Sequence, residues 1–440
     1  MKLEKFYLDK IKMKYFFKII LITVFILFPI ESKAVTLFDS LQSAYLNNSK
    51  LNAERASMRA SREEKKEAIS EFLPSVTISG SNTYQDDSKG TSDDLYLEPK
   101  ERSLLVEQKI FQGFGGVANL QKKRKGQKLG EFKLKKVEQE ILLEAAKAHT
   151  ELLLNKKKLN INLINVDLLE RQVETDQNRL EKGEISLTDL SQSEASLAGA
   201  NAELIAAKND LITSKSNYEK IVGKKSIDEI KEIQAMNLNL PESLAVAYRI
   251  SNFENPDLQI ALLEYEQSKL DVAIAGSELS PSASLSYKFA EQDDVSSTVQ
   301  ERTRQTVTAT ASWPLFAGGK NAFNYRQFKE IKNQKELLLE DRKKTTETEV
   351  ANAWSSYQSS KSVLESIRSQ VKAAEIANEG ITLEYESGTS RTTLEVIQSR
   401  SILLNSRINL ASSERNFLIS QFNLLSAIGR LTAAQLNLKE

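Results

Sequence analysis

The segment LSQSEASLAGANAELIAAKNDLITSKSNYEKI spans residues 190–221, and a seven-residue repeat runs through it. Every seventh residue from Leu190 to Tyr218 is large, and the residue three places later is Ser or Ala from position 193 to position 214. Residues 396–427, VIQSRSILLNSRINLASSERNFLISQFNLLSA, repeat the pattern at an offset of 206. A strict period of seven predicts α-helices that pack as a left-handed coiled coil, and small residues let a neighbouring helix come close.

A second apolar row lies beside the first in both segments, with Ile205 and Ile212 in the first copy. A stripe this wide suits a helix with neighbours on two sides, as in a closed ring of helices.

Long helices are predicted before both segments. Residues 117–182 contain no proline, and one apolar track runs from 134 to 180 with polar residues only at Asn155 and Asp176. Residues 320–379 contain no glycine and no proline. At about 1.5 Å per residue, such helices reach on the order of 100 Å. The sequence therefore predicts helical hairpins at about 117–222 and 320–428, which turn at Gly183 and Gly388.

Four shorter segments alternate between polar and apolar residues, as in β-strands with two unlike faces. They cover about 75–84, 102–111, 282–290 and 302–316. This alternation is common in soluble amphipathic sheets, but about 9–11 residues is also the length of a tilted transmembrane strand. Open sheet edges are not tolerated in lipid and the smallest membrane barrels have eight strands, so several copies would have to share one barrel.

The two halves of the chain follow one plan. Gly183 and Gly388 are 205 residues apart, and Gly223 and Gly429 are 206 apart. We therefore predict a first structural repeat at 35–223, an equatorial connector at 224–240 and a second repeat at 241–440.

Composition excludes several classes of function. The first 34 residues resemble a secretory signal peptide, with Met13 as an alternative start. The chain has no cysteine and one histidine, which excludes disulfides, thiol catalysis and Cys-based metal sites. Lys and Arg number 60 and so do Asp and Glu, so charge gives no indication of nucleic-acid binding. The sequence contains no recognisable catalytic, metal or cofactor motif, and we predict neither an enzyme nor a cofactor.

Three motifs lie within the duplicated order of helices and strands: FAGG at 316–319, YESG at 385–388 and NFLISQFNLLSAIG at 416–429. With this order and these motifs, the sequence resembles the TolC-like outer-membrane efflux proteins across essentially the whole mature chain. The resemblance implies a mainly α fold with a β part: a homotrimer whose chains each give four strands to a shared twelve-stranded transmembrane β-barrel, continuous with a periplasmic α-barrel of coiled-coil helices. It also implies location in the outer membrane of a Gram-negative bacterium, in contact with outer-membrane lipid and extending into the periplasm.

The function implied is a passive exit duct of a tripartite export system. Its partners would be a periplasmic adaptor (membrane fusion) protein and an inner-membrane pump of the RND, ABC or MFS type. The cargo would be small molecules, as in drug efflux, or a type I secreted protein. The alternative is an exported coiled-coil scaffold or adaptor that transports nothing.

The resemblance also places a gate at the far turns of the helices. Acidic residues there ring and constrict the entrance in the family, and Glu395 and Gln398 occupy the two corresponding positions. We add Asp189, the repeat equivalent of Glu395, and Arg391, which could form an ion pair with Glu395. An acid at this position also suits a helix N-terminus without any gating role.

Glycines mark two kinds of turn. Gly183 and Gly388 are candidates for tip turns that contact the adaptor, or for simple helix caps. The strand-to-helix turns are predicted at five glycines: Gly113, Gly115, Gly116, Gly318 and Gly319.

Overall fold

The computed structural model describes residues 35–87, 95–223, 230–232, 238–296, 298–387 and 391–439. The predicted signal peptide (1–34), most of the connector and Gly388 lie outside these residues. Eight helices and six strands are described: α1 (Leu37–Asn47), α2 (Ser49–Ser70), β1 (Ser75–Asn82), β2 (Gln85–Asp87), β3 (Leu95–Leu97), β4 (Lys100–Gln112), α3 (Gly115–Glu181), α4 (Leu187–Val222), α5 (Leu244–Glu254), α6 (Pro256–Ser277), β5 (Ser282–Ser296), β6 (Val299–Ser312), α7 (Lys320–Glu386) and α8 (Thr393–Ala427).

One antiparallel sheet of four strands has the order β1-β4-β5-β6, so the two repeats join through the β4–β5 pairing. Val76, Val106, Tyr287 and Val307 are aligned across it in one row of apolar residues. Side chains of alternate rows point to the other face of the sheet, which carries polar residues such as Ser79, paired with Ser103. β1 and β6 form the two open edges of this sheet.

The four predicted strands are present, but their ends differ from the sequence prediction by up to six residues. The last strand ends at Ser312 and not at position 316, because Pro314 has no N–H to donate to a ladder. β5 continues to Ser296 because its acidic end pairs with β6. Part of the predicted first loop forms the short β2–β3 hairpin.

The two long helices, α3 and α7, have 67 residues each, which is about 100 Å at 1.5 Å per residue. α3 packs against α4 and α8, and α7 packs against α8. The four hairpin helices therefore form a row in the order α4, α3, α8, α7. Along this row, the large and small residues of the heptads in α4 and α8 are mostly buried, whereas Ile205 and Ile212 of α4 remain 68% and 66% exposed.

The main hydrophobic core lies where α1 and the C-terminal turn pack against α3, α4 and α8. Leu41, Ile141, Tyr218 and Phe422 are fully buried there. His149 is buried in the same core, and its Nδ1 lies 2.8 Å from Ser40 Oγ, which lies 2.6 Å from the Tyr218 hydroxyl.

Among the described residues, no helix combines the length and the apolar character needed to cross a membrane.

Candidate functional site at the helical tip

One helix starts at the tip in each repeat, and the two helix starts have the same capping geometry. Ser186 caps α4, and Asp189 Oδ2 accepts hydrogen bonds from its backbone N–H at 3.0 Å and its hydroxyl at 2.7 Å. Thr392 caps α8, and Glu395 Oε2 accepts from its backbone N–H at 2.8 Å and its hydroxyl at 3.2 Å. Each pair is a capping box, which pairs N–H groups that a helix start otherwise leaves without partners. Both predicted gate acids thus have a structural role as well.

These hydrogen bonds also set the acidity of the two carboxyls. The Ser186 hydroxyl lowers the pKa of Asp189, and the backbone N–H of Thr392, followed by Arg391, lowers the pKa of Glu395. Both groups are therefore charged at neutral pH, as a cation-attracting ring would require.

Arg391 bridges the end of α7 and the start of α8. Its Nη1 lies 2.9 Å from Glu395 and its Nε lies 2.6 Å from Glu384. The predicted ion pair is present, but the three side chains are solvent-exposed, so it contributes little to stability.

Gln398 is exposed on the next turn of α8. With Glu395 it lines an open groove of about 270 Å³ between α7 and α8, whose apolar residues include Ile381 and Ile402. The two predicted gate side chains therefore share one surface.

Gly183 ends the first hairpin's long helix with a positive φ of 72°. Its N–H donates to Leu180 O and that of Glu184 donates to Arg179 O, both at 2.9 Å. This is a Schellman cap, in which glycine is favoured because it adopts positive φ without strain.

A buried polar cluster that we did not predict lies behind these caps. Asp176 of α3 is completely buried. Its oxygens accept from Gln172 Nε2 at 2.9 Å, Ser193 Oγ at 2.5 Å and the Tyr385 hydroxyl at 3.0 Å. Tyr385 also lies 3.2 Å from Thr393 Oγ1. The cluster therefore contains residues of α3, α4, α7 and α8, and it joins the two hairpins at the tip.

Arg179 covers the outer side of the cluster. Its guanidinium centre lies 4.7 Å from the centre of the Tyr385 ring, and its Nε lies 3.2 Å from Glu184. Burial raises the pKa of Tyr385, so its hydroxyl stays protonated and can donate to Asp176. The signal in the sequence was Asp176 itself, a polar residue in an otherwise apolar track.

At the opposite end of the long helices, the strand-to-helix turns differ in part from the prediction. In the first repeat, positive φ occurs at Gly113 and Phe114, whereas Gly115 and Gly116 already belong to α3. Gly115 lies in a close approach, since an added Cβ would lie 3.0 Å from Ser277 Cβ and would displace the Ser277 hydroxyl. In the second repeat, Gly318 and Gly319 adopt positive φ of 62° and 81°.

Within the described part of the chain, no group of three or more His, Cys, Asp and Glu side chains is arranged to hold a metal ion.

Comparison with known proteins gives the family. The sequence profile of the family described as "Outer membrane efflux protein" matches residues 40–224 and 250–430. The outer membrane efflux protein BepC of Brucella suis biovar 1 is 26% identical over 405 residues, covering 92% of this chain and 87% of BepC. The outer membrane protein TolC of Escherichia coli K12 is 22% identical over 423 residues, covering 92% of this chain and 84% of TolC.

Solved structures show the same fold. The outer membrane channel CmeC of Campylobacter jejuni has a TM-score of 0.81 at 14% identity, with 90% of this chain and 86% of CmeC covered. The outer membrane protein VceC of Vibrio cholerae has a TM-score of 0.77 at 18% identity, with 89% of this chain and 96% of VceC covered. The predicted resemblance, the mainly α fold with two repeats and the outer-membrane location that extends into the periplasm are confirmed. The family profile matches the chain once in each repeat and covers far more than half of the chain's length. The chain therefore belongs to the outer membrane efflux protein family.

Proposed function

We propose that three copies of the chain form the outer-membrane exit duct of a tripartite export system, and that this duct opens and closes at the helical tip. Transport through it is passive, and the inner-membrane partner supplies the energy.

One observation carries the proposal: the sheet and the row of helices both end in open edges on the same two sides of the chain. β1 and β6 are the outer strands of the sheet, and α4 and α7 are the outer helices of the row. A sheet edge needs a partner inside lipid. Three copies joined edge to edge give a closed barrel of twelve strands and a ring of twelve hairpin helices. The exposed Ile205 and Ile212 of α4 would be buried against the next copy's α7.

The tip cluster supports gating there. Asp176 and Tyr385 hold the two hairpins of one chain together at their far ends, and a lumen can widen only if such ties yield. Glu395, Gln398, Asp189 and Arg391 would line or flank the constriction, with the Glu395 carboxylates attracting cations.

The assembly partners follow from the export role. The tip turns at Gly183 and Gly388 would contact a periplasmic adaptor, which couples the duct to an RND, ABC or MFS pump. Small molecules are the favoured cargo, because the relative BepC is named as an efflux protein. A type I secreted protein is the other candidate.

Mass measurement and imaging test the duct directly. The mature protein, extracted from membranes in detergent, should have the mass of a trimer and appear as a rod on the order of 100 Å long, the span of its long helices, with a membrane plug at one end. In planar bilayers it should conduct ions. A rod that leaves the membrane without detergent and conducts nothing would replace the duct with a periplasmic scaffold or adaptor.

A further inference from the structure

All four helix ends that adjoin the four-stranded sheet lie at the same end of it: the last turns of α2 and α6 and the first turns of α3 and α7. Large apolar side chains are exposed here. Six of them are between 61% and 87% exposed: Leu73, Phe114, Trp313, Leu315, Phe316 and Phe323. Exposed aromatic side chains at the end of a membrane sheet are typical of the boundary between hydrocarbon and headgroups.

Cationic side chains lie directly beyond this apolar band. Lys320 is the first residue of α7, and Arg326 and Lys329 follow within its first three turns. Arg62 of α2 and Arg124 of α3 lie at a similar distance from the sheet, about 12–14 Å at 1.5 Å per residue. All five are exposed, and none forms an ion pair with another described residue. We call these five residues, with the six apolar ones, the collar.

The charge at this level is unbalanced, although the whole chain is neutral. Residues 59–71, 115–126, 266–278 and 320–331 together contain twelve Lys and Arg but eight Asp and Glu. Acidic residues of α2 and α6 form ion pairs with lysines of α3, as in Lys123–Glu64 at 2.8 Å and Lys122–Asp271 at 2.5 Å. The five cations of the collar are among those that form no ion pair with the described residues.

We propose that the collar binds the phosphate groups of anionic phospholipids in the membrane leaflet around the periplasmic end of the sheet. This rests on the proposed function insofar as the sheet must span the membrane. The apolar side chains reach the acyl chains, and the cations one to three helical turns further out meet the headgroups. Anionic lipid surfaces attract such Lys and Arg side chains.

Spin-labelled lipids test the proposal with the intact trimer. The protein is reconstituted in phosphatidylethanolamine vesicles containing a trace of spin-labelled phosphatidylglycerol or of spin-labelled phosphatidylethanolamine. The fraction of motionally restricted label gives the relative association constant of each headgroup. We expect the wild type to prefer phosphatidylglycerol. In the variant Lys320→Gln/Arg326→Gln/Lys329→Gln, the ratio of the association constants of phosphatidylglycerol and phosphatidylethanolamine should fall at least about fivefold.

A matched control removes three exposed cations far from the sheet. Lys147→Gln/Lys156→Gln/Lys361→Gln changes the net charge by the same amount, more than 30 residues along the long helices, and should keep the preference. Equal restriction of both labels by the wild type, or equal losses in both triple variants, would overturn the proposal. If no lipid is restricted at all, the sheet does not span the membrane and the proposed duct itself fails.

Discussion

The Tyr385 hydroxyl donates a hydrogen bond to Asp176 Oδ1 at 3.0 Å, between residues 209 positions apart in the sequence. Tyr385 lies three residues before Gly388, the predicted turn of the second hairpin, and Asp176 lies seven residues before Gly183, the turn of the first. The contact therefore links the far ends of the two repeats, which join again through the sheet about 100 Å away along α3.

Loss of this hydroxyl should loosen the tip. Tyr385→Phe leaves Asp176 with Gln172 and Ser193 as partners, and a typical hydrogen bond contributes about 0.5–1.5 kcal/mol. We expect a larger conductance in planar bilayers. Tyr357→Phe is the control, because the Tyr357 ring stacks on Phe417 away from the tip. Indistinguishable conductance in the two variants would remove the Tyr385 contact from the gate.

The charge of Glu395 can be separated from its capping role. Glu395→Gln keeps an oxygen that accepts from Thr392, so the capping box and the melting temperature should be preserved. If Glu395 rings the lumen, block of conductance by divalent cations should weaken. Glu347→Gln, which removes the charge of an exposed acid in the middle of α7, is the control. Unchanged block in Glu395→Gln would take Glu395 out of the constriction.

The buried His149 predicts a pH dependence of stability. Burial lowers its pKa from 6.5 to about 4, so the unfolded chain binds a proton more readily than the folded one. Stability from this residue is therefore complete above pH 6.5 and falls as the pH drops towards 4, by about 3 kcal/mol in all. Thermal unfolding of the wild type and of His149→Gln between pH 7.5 and 4.5 measures this loss of stability. Parallel curves for the two proteins would contradict the assignment.

A side chain at Gly113 should prevent correct folding of the strand-to-helix turn. Gly113 has a φ of 57°, and an added Cβ would lie 2.6 Å from Ser280 Cβ and 2.7 Å from Ser277 O. We expect Gly113→Ala to reduce the yield of trimer in the membrane severalfold. Gly199→Ala in α4, where nothing lies within 4 Å, should instead be neutral or stabilising, by up to about 1 kcal/mol. Equal yields of the two variants would show that the turn tolerates the contact.

Local patterns were enough to predict the repeats, the long helices and the sheet, because each has a periodicity that the sequence displays directly. The ends of the strands were predicted less accurately. Trp313-Pro314 contained the stop signal, but the alternation of apolar residues continued to Leu315 and concealed it. Gly115 and Gly116 were placed in a turn because consecutive glycines suggest one, whereas both belong to α3 and Gly115 lies close to the Ser277 side chain.

The tip cluster could not be derived in the same way. Asp176 stood out as a polar residue in an apolar track, but its partners Ser193 and Tyr385 lie on two other helices, and no sequence spacing relates them to it. The capping boxes of Asp189 and Glu395, by contrast, depend only on a residue three positions earlier.

The row of helices implies two unlike seams in a closed ring. Inside one chain, α3 and α8 are joined by Arg415–Glu151 at 2.6 Å and Lys157–Glu414 at 3.2 Å. The seam between copies would bring α7 against the next copy's α4, where the repeat-equivalent residues are Ser356 with Asn209 and Ser362 with Lys208. At these two positions no opposite charges would meet. In the proposed trimer, the two ion pairs within each chain would thus have no counterpart at the equivalent positions between copies, and raising the salt concentration would weaken these pairs without affecting those positions.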